Sequence, residues 1–302
     1  MLFESNIKSS NSTEGIETVY MLPGGEYGRH VRCRNCHLTY VNPIEVNGKI
    51  SEDYSRRKSS DASIISCSRL KAAKSQVQLI GKHSLGVNLL DIGCGEGFFL
   101  FTASKMGHIV RGVELSCDAV EYARREFNLD VEARPFEEVE YPAGYFDIVT
   151  LWQVLEHVPQ PLVMLRKVHR ILKSGGILAV TTPDFGGILA RILGRRWWNI
   201  RKLHVNQFTD TTLKSLLRNA GFTEEVSIRY KEHISLPMLV IPMLRYLKVY
   251  ESLKGLACAG SITGRIAGKI VLAYPSSLDN CGIIAMKPRN NDKNCNYRGG
   301  LR

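Results

Sequence analysis

The feature that most constrains the fold is a glycine-rich turn between an apolar run and a helix signal. The run 88–92 (Asn-Leu-Leu-Asp-Ile) predicts a short buried strand, and Gly93-Cys94-Gly95-Glu96-Gly97 follows it directly. Glycine reaches positive φ and lets a ligand approach the backbone without a Cβ in the way. A helix predicted from about Phe98 would point its free N–H groups and positive dipole end at the turn. The stretch therefore predicts a βα turn that cradles a cofactor.

Two details narrow the class of cofactor. Dinucleotide sites use G-x-G-x-x-G, whereas this turn has G-x-G-x-G and puts Phe98 where the last glycine would stand. Asp91, just before the turn, is a poor neighbour for a pyrophosphate and suits a cationic ligand, such as an ammonium beside a sulfonium. A second predicted strand, 109–114, ends in Glu114, which is placed to accept hydrogen bonds from two ribose hydroxyls. A nicotinamide dinucleotide site and a purely structural turn are the alternatives.

Strand and helix patterns alternate along the rest of the chain. Predicted helices cover 62–82, 97–106, 117–127, 160–172 and about 209–221, and further predicted strands cover 109–114, 130–133, 146–152, 177–182, 226–231 and 282–287. Gly175-Gly176 is expected to end the helix over 160–172. Such alternation implies a parallel sheet with right-handed crossovers. We expect an α/β, Rossmann-like fold: a seven-stranded, mostly parallel sheet with helices on both faces.

Several motifs carry a resemblance to a known family. They are 90–97 (Leu-Asp-Ile-Gly-Cys-Gly-Glu-Gly), 112–116 (Gly-Val-Glu-Leu-Ser), 146–149 (Phe-Asp-Ile-Val), 155–159 (Leu-Glu-His-Val-Pro), 172–176 (Leu-Lys-Ser-Gly-Gly), and His204 with 207–209 (Gln-Phe-Thr). With them the chain resembles the class I S-adenosylmethionine (SAM)-dependent methyltransferases, in the type 11/23 branch near the ubiquinone-biosynthesis O-methyltransferases. The resemblance covers 85–231 well, and 29–43 and 281–288 more loosely. It implies SAM as the cofactor.

The resemblance also implies which positions contact SAM. These are Asp91, Gly93, Cys94, Gly95, Glu114, Leu115, Phe136 and Trp152. Asp91 would lie behind the ammonium, Glu114 would hold the ribose, and Trp152 would border the sulfonium. The acid that often hydrogen-bonds adenine is replaced by Pro135, which also lacks a backbone donor. We therefore expect adenine to pack on Phe136, with weaker or altered cofactor affinity.

A second departure from the family pattern concerns metal. Some quinone O-methyltransferases carry Glu-x-x-Glu-His at the end of the fourth strand and resemble a metal-assisted type. This chain has Gln153 in place of the first glutamate, before Glu156 and His157. Because one carboxylate is replaced by an amide, we expect no metal.

Two histidines are candidate catalytic bases. His204 follows the predicted strand 177–182, in a segment that in this fold tends to cover the substrate mouth, and an imidazole pKa of about 6.5 suits proton removal. His157 is the second candidate. The alternatives are that His204 packs under a tryptophan pair and that His157 orients the helix that follows it.

The segment from Arg191 to Lys202 holds five basic residues, two tryptophans and no acid. Trp197, Trp198 and Arg201 are predicted to contact the methyl acceptor, through a phosphate or carboxylate on it. A solvated basic face and RNA binding by charge and stacking are the alternatives. Nucleic acid is disfavoured because the fourth strand ends Leu-Trp-Gln at 151–153, without Asp/Asn-Pro-Pro-aromatic, and the chain has no Pro-Cys pair.

Five segments are predicted along the chain. They are a loose N-terminus (1–45) with a degenerate zinc-ribbon-like Cys33-x-x-Cys36, the methyltransferase core (62–233), an apolar helical insertion (234–278), the last strand of the core (279–288) and a basic tail (289–302). In the insertion, glycine, isoleucine and basic residues each recur every four positions over 260–270, which places an apolar stripe beside a basic one on a helix. A lid over the core and contact with a membrane surface are both compatible with that pattern.

Composition sets wider bounds. A hydrophobic share of 44% and a charged share of 23% are ordinary for a globular protein, but the net charge of +11 favours anionic partners. No run reaches the ~18 apolar residues of a membrane-spanning helix. No secretory apolar run follows Met1, so we expect a cytoplasmic protein, with peripheral membrane contact as an option. The expected activity is methylation of an oxygen on a small or lipid-like acceptor; a non-catalytic SAM-binding partner and an RNA methyltransferase are the alternatives.

Overall fold

The computed structural model of the chain describes residues 16–21, 29–42, 62–194, 197–201, 203–235 and 271–289. Its helices are α1 (Ala62–Ile80), α2 (Phe98–Lys105), α3 (Cys117–Phe127), α4 (Pro161–Ile171), α5 (Ile188–Leu193) and α6 (Asp210–Asn219). Its strands are β1 (Ile16–Met21), β2 (Arg29–Cys33), β3 (Thr39–Asn42), β4 (Asn88–Ile92), β5 (Ile109–Glu114), β6 (Val131–Ala133), β7 (Phe146–Trp152), β8 (Leu172–Pro183), β9 (Asn206–Gln207), β10 (Thr223–Ser227), β11 (Lys231–Ser235), β12 (Val271–Pro275) and β13 (Asn280–Met286). None of these helices is long and apolar enough to cross a bilayer.

A seven-stranded sheet organises the molecule, in the order β10-β13-β8-β7-β4-β5-β6. Strands β4 to β8 are parallel, and β13 runs antiparallel to both of its neighbours. The predicted seven-stranded, mostly parallel sheet is confirmed. Because β4, β5 and β7 are parallel neighbours, their carboxyl ends meet at one edge, where ligands bind in such sheets.

Two apolar layers cover the two faces of this sheet. Leu165 of α4 and Leu216 of α6 belong to one buried cluster, and Val77 of α1 and Leu100 of α2 belong to the other. Strands buried on both faces have continuous apolar runs, and β7 shows this with an almost unbroken buried pattern. Helices on both faces are therefore confirmed as well.

One boundary differs from the sequence prediction. Helix α4 ends at Ile171, and the chain enters β8 at once, so the Gly175-Gly176 pair lies inside the strand and does not end the helix. Leu172 pairs with Phe146, and the register then shifts before Ile177 pairs with Ile148. The glycines accommodate this shift in register, since Gly175 has a φ of 76°.

The predicted strand over 226–231 is wrong in its extent. Strand β10 ends at Ser227 and pairs with β13, whereas β11 begins at Lys231 and pairs with β12. The chain changes sheets between them, where Ile228 and Tyr230 turn inward and are buried. Strands β11 and β12 pair residues 234–235 with 271–272 of the predicted 234–278 insertion, and residues 276–278 form a short 3-10 turn. Residues 236–270, including the predicted helix, lie outside the described residues.

Within the predicted loose segment over 1–45, the described residues 16–21 and 29–42 are mostly strand. Strands β1, β2, β3 and β9 form a four-stranded antiparallel sheet. Strand β3 pairs with Asn206 and Gln207, and the N–H of Val41 donates to the carbonyl of Val205 at 2.9 Å. Tyr40 is buried there, so apolar burial holds the Cys33–Cys36 turn against the core.

Candidate functional site

The glycine turn after β4 has the geometry of a ligand cradle. Gly93, Gly95 and Gly97 have φ values of 73°, 52° and 80°, which L side chains rarely adopt. A Cβ at Gly93 would lie 2.6 Å from Cγ2 of Val154, so glycine is required there. At Gly95 a Cβ would meet nothing within 4 Å. The turn is therefore tight on its protein side and open at Gly95.

Glu114 ties this turn to the end of β5. Its Oε2 accepts the N–H of Gly95 at 2.9 Å, and its Oε1 accepts the N–H groups of Leu115 at 2.8 Å and Ser116 at 2.9 Å. The carboxylate is buried, and charge-assisted bonds of this kind are the stronger ones. Glu114 therefore fixes the two backbone turns that border the open space.

Asp91 places a second acid directly behind the glycine turn. It is buried, and its Oδ1 accepts the Thr150 hydroxyl at 2.6 Å. Burial raises the pKa of Asp91 to about 8, against a lowering by the Thr150 bond, and the nearby Glu114 charge adds to the rise. A cation bound beside it would favour the ionised form, so this carboxyl is poised for a positively charged ligand.

Two predicted cofactor contacts turn their side chains elsewhere. Cys94 lies in the apolar cluster of α1 and α2, where burial raises its pKa well above the usual range, so only its backbone borders the turn. Phe136 is buried in the opposite cluster, with the Lys167 ammonium 5.2 Å from its ring centroid. The 136–138 turn directs the Phe136 ring into the core, and the stacking of adenine on it stays a prediction.

Trp152, at the end of β7, is partly buried and packs against the cluster of α1 and α2. Its ring meets Phe99 edge-on at 5.4 Å and Tyr230 at 6.1 Å, between centroids. Its buried indole N–H has no acceptor among the described residues. An unsatisfied buried donor is costly, so a ligand atom is a natural partner for it.

Sequence reasoning missed a polar network beside Trp152. Gln153 has a φ of 59°, and its amide nitrogen lies 3.3 Å from both Thr181 Oγ1 and Asn280 Oδ1. Asn280 donates to Glu232, which also accepts the Tyr230 hydroxyl at 2.7 Å. These partners lie far apart in sequence, so no local pattern could have revealed them.

The two candidate bases meet in the structure, together with Glu156. The rings of His157 and His204 are 4.7 Å apart between centroids, and Glu156 Oε1 lies 4.0 Å from His157 Nε2. The Leu203 carbonyl accepts a hydrogen bond from His157 Nδ1 at 2.8 Å, so in the neutral ring Nδ1 carries the proton and Nε2 the lone pair. Burial raises the pKa of Glu156 to about 8.

This cluster also bears on the expected absence of metal. One donor atom from each of Glu156, His157 and His204 lies within 4.8 Å of the others, a set that could ligate a divalent ion. Gln153 is engaged with Thr181 and Asn280, away from that set. The expectation of no metal stays a prediction.

The predicted acceptor contacts divide into an anchor and an exposed pair. Trp197 is only 2% exposed, and its indole N–H donates to Asp279 Oδ1 at 2.7 Å. Trp198 and Asn199 donate to the other carboxylate oxygen at 3.0 and 3.1 Å. Trp198 and Arg201 remain exposed. Arg195, Arg196 and Lys202 lie outside the described residues.

Replacing Asp279 by alanine is expected to lower the free energy of unfolding by about 2–4 kcal/mol, because three donors lose their acceptor in a buried site. Urea unfolding followed by circular dichroism measures the change. Asp130→Ala, at an exposed aspartate, is the matched control and should change the free energy by less than about 1 kcal/mol. A loss no larger than that of the control would show that Asp279 does not fasten this segment.

A family profile described as a methyltransferase domain matches residues 66–225. The chain belongs to this methyltransferase family. The match spans both acids, the glycine turn and the His157–His204 pair. SAM is the cofactor of its nucleotide site, and the residues present fit it: a buried acid, an open glycine cradle and a second acid at the adjacent strand end.

Curated relatives share part of this methyltransferase. A ubiquinone biosynthesis O-methyltransferase from Coxiella burnetii is 33% identical over 136 residues, which cover 43% of this chain and 56% of that protein. A protein of the same name from Xanthomonas campestris is 35% identical over 104 residues, covering 32% and 43%. The chain thus spans about half the length of the curated relatives it matches.

Solved structures share the fold. Phosphoethanolamine N-methyltransferase 2 of Haemonchus contortus, in complex with SAM, has a TM-score of 0.52 at 17% identity, covering 83% of this chain and 62% of that one. The YcgJ protein of Bacillus subtilis has a TM-score of 0.50 at 16% identity, covering 73% and 100%. At such identities the likeness concerns the fold alone.

Proposed function

We propose that this methyltransferase transfers the SAM methyl group to an oxygen of a small or lipid-like acceptor. The observation that carries the proposal is the pairing of buried Asp91 with the open glycine cradle at Gly95, beside Glu114. An acid with a raised pKa behind a glycine turn suits a cationic ligand much better than a pyrophosphate. The oxygen acceptor is supported by the name of the Coxiella burnetii relative.

The residue roles in the cofactor site follow from their positions. Asp91 would face the ammonium, Gly93 and Gly95 would lie along the methionine portion, and Glu114 would accept the ribose hydroxyls while keeping its backbone bonds. Trp152 would border the methyl group, and its indole N–H, which has no acceptor among the described residues, would donate to the cofactor or acceptor. When bound, SAM supplies an electrophilic methyl group on a sulfonium. The protein mainly positions the acceptor in line with it.

Proton removal would fall to the histidine pair. His157 donates from Nδ1 to the Leu203 carbonyl, so Nε2 is the ring nitrogen that would take up the proton. His204 packs edge-on against that ring, and the high pKa of the neighbouring Glu156 keeps its carboxyl largely protonated at neutral pH. A neutral carboxyl leaves proton removal to the two imidazoles.

A labelling experiment tests the acceptor class. Purified protein and methyl-labelled SAM are added to a cell extract, which is then split into organic, small aqueous and macromolecular fractions. Label in the organic fraction above an Asp91→Asn blank is expected. Label confined to the macromolecular fraction would contradict the proposal and favour a nucleic acid or protein acceptor. No label from a protein that binds S-adenosylhomocysteine (SAH) would favour a non-catalytic SAM-binding partner.

Replacing His204 by glutamine is expected to lower kcat by about 100-fold or more, because a general base contributes at least that much. The Kd for SAH, measured by calorimetry, should stay within about threefold, since His204 lies outside the cofactor cradle. His83→Gln, at an exposed histidine, is the matched control. An unchanged kcat would remove His204 from the reaction, and loss of wild-type activity in EDTA would show that the histidine cluster holds a metal.

A further inference from the structure

Three large apolar side chains project into solvent where β8 leads out of the sheet. Ile188 is 58% exposed, Ile192 is 73% exposed and Trp198 is 49% exposed. Strand β8 ends just before them, at the same edge of the sheet as the cofactor cradle. Exposed apolar groups gathered in one short segment, beside a site, indicate a contact surface.

The local structure makes this exposure a fixed feature. Ile188 and Ile192 are four residues apart on α5, so they share one face, while Ala190 is buried against the protein. The Trp198 indole N–H is turned inward to Asp279, which leaves ring carbons as the exposed part. All three residues thus offer carbon to the outside.

Basic groups accompany these carbons. Arg191 directly precedes Ile192 on α5, the Arg201 Nε donates to the Trp198 carbonyl at 2.9 Å, and both arginines are exposed. No acid occurs between residues 188 and 202, and the chain carries a net charge of +11. We name Ile188, Arg191, Ile192, Trp198 and Arg201 the α5 surface.

We propose that the α5 surface docks on a membrane with anionic headgroups. Isoleucine and tryptophan carbon would enter the headgroup boundary, and the two arginines would meet lipid phosphates, which is how interfacial elements bind bilayers. Single-stranded nucleic acid would instead need a row of exposed rings for base stacking, and Trp198 alone offers one here. The contact itself needs no methyl transfer; delivery of a lipid-like acceptor to the nearby cradle rests on the proposed function.

Vesicle co-sedimentation of the full chain tests this. Vesicles of phosphatidylcholine with about 30% phosphatidylglycerol should bind the protein, and binding should weaken as salt rises. In the double variant Ile188→Ser/Ile192→Ser the partition coefficient onto these vesicles should fall by about tenfold or more. In Arg191→Gln/Arg201→Gln the partition coefficient should lose most of its dependence on salt. Ile109→Ser, at an isoleucine 64% exposed at the opposite edge of the sheet, and Arg125→Gln are the matched controls.

Two further readouts keep the test decisive. Brominated lipid should quench tryptophan fluorescence in the wild type, and Trp198→Phe should remove that quenching while circular dichroism shows that the variant keeps the wild-type fold. Failure of the wild type to bind these vesicles, or equal binding by the isoleucine double variant, would overturn the proposal; binding to RNA without binding to vesicles would do the same. Label in the aqueous fraction of the extract would contradict a lipid-like acceptor and leave the vesicle result standing, so the two failures are distinguishable.

Discussion

Replacing Glu114 by alanine is expected to weaken SAH binding by about 100-fold or more, equivalent to about 2.7 kcal/mol. The carboxylate accepts three backbone N–H groups that border the cradle, from Gly95, Leu115 and Ser116. Its removal frees the Gly95 end of the turn and also deletes the acceptor proposed for the ribose. Calorimetry with SAH measures the loss directly, without any assumption about the methyl acceptor.

The same variant should also be less stable. Each buried donor left without an acceptor lowers the free energy of unfolding by about 1–3 kcal/mol, and by less where water can bond to it. We expect Tm to fall by several degrees, so SAH binding is measured well below the unfolding transition, where circular dichroism confirms the fold. Glu121→Ala, at an exposed glutamate of α3, is the control. An affinity within about threefold of the wild type would show that Glu114 acts only on the protein's own backbone.

Local features of the sequence predicted the core of this site. The strand, the acid and the glycine turn are adjacent in the chain, and a positive φ at three glycines is a backbone property that residue type decides. The position of Glu114 was equally predictable from the sequence, because parallel strands bring Asp91 and Gly112 side by side in register and so place Glu114 near the turn. The pattern of apolar residues and the residue types in the turn were sufficient to predict these parts of the site.

Side-chain direction was not predictable in the same way. The resemblance implies that Phe136 packs on adenine, yet the turn over 136–138 directs its ring into the core, where an aromatic ring buries a large area. The Cys94 side chain also points into the core, since a small apolar side chain between two glycines packs behind the turn. Position in a motif therefore fixes where the backbone passes, while burial decides which way the side chain points.

Long-range partners were beyond the sequence altogether. Trp197 and Asp279 are 82 residues apart, and Gln153 and Asn280 are 127 apart, so only the folded sheet brings them together. The tryptophan pair looked like one acceptor-binding unit, but Asp279 turns Trp197 into an anchor and leaves Trp198 exposed. Counting charged and aromatic residues in the sequence cannot tell a buried anchor from an exposed contact residue.

Replacing Asp91 by asparagine is expected to abolish measurable SAM binding while making the ligand-free protein more stable above neutral pH. The folded-state pKa of Asp91 is about 8, against about 3.9 in the unfolded chain. Between these values the folded state holds a proton that the unfolded state has lost, so wild-type stability falls as pH rises through this window. Asparagine removes that dependence, with a gain on the order of a few kcal/mol at pH 8.

The same proton affects cofactor binding in the opposite direction, since SAM affinity rises with pH where stability falls. A cationic cofactor favours ionised Asp91, so binding releases a proton near pH 7, and affinity for SAM rises toward pH 8 and levels off above it. Calorimetry in buffers of different ionisation enthalpy counts that proton, and thermal melts at pH 6 and 8.5 report the stability. The variant Glu156→Gln measures how much of the pH dependence of stability comes from the second buried acid, which lies outside the cradle. If Asp91→Asn bound SAM normally, or if it melted below the wild type at pH 8.5, Asp91 would be a structural acid and the site would have to hold its cofactor by other groups.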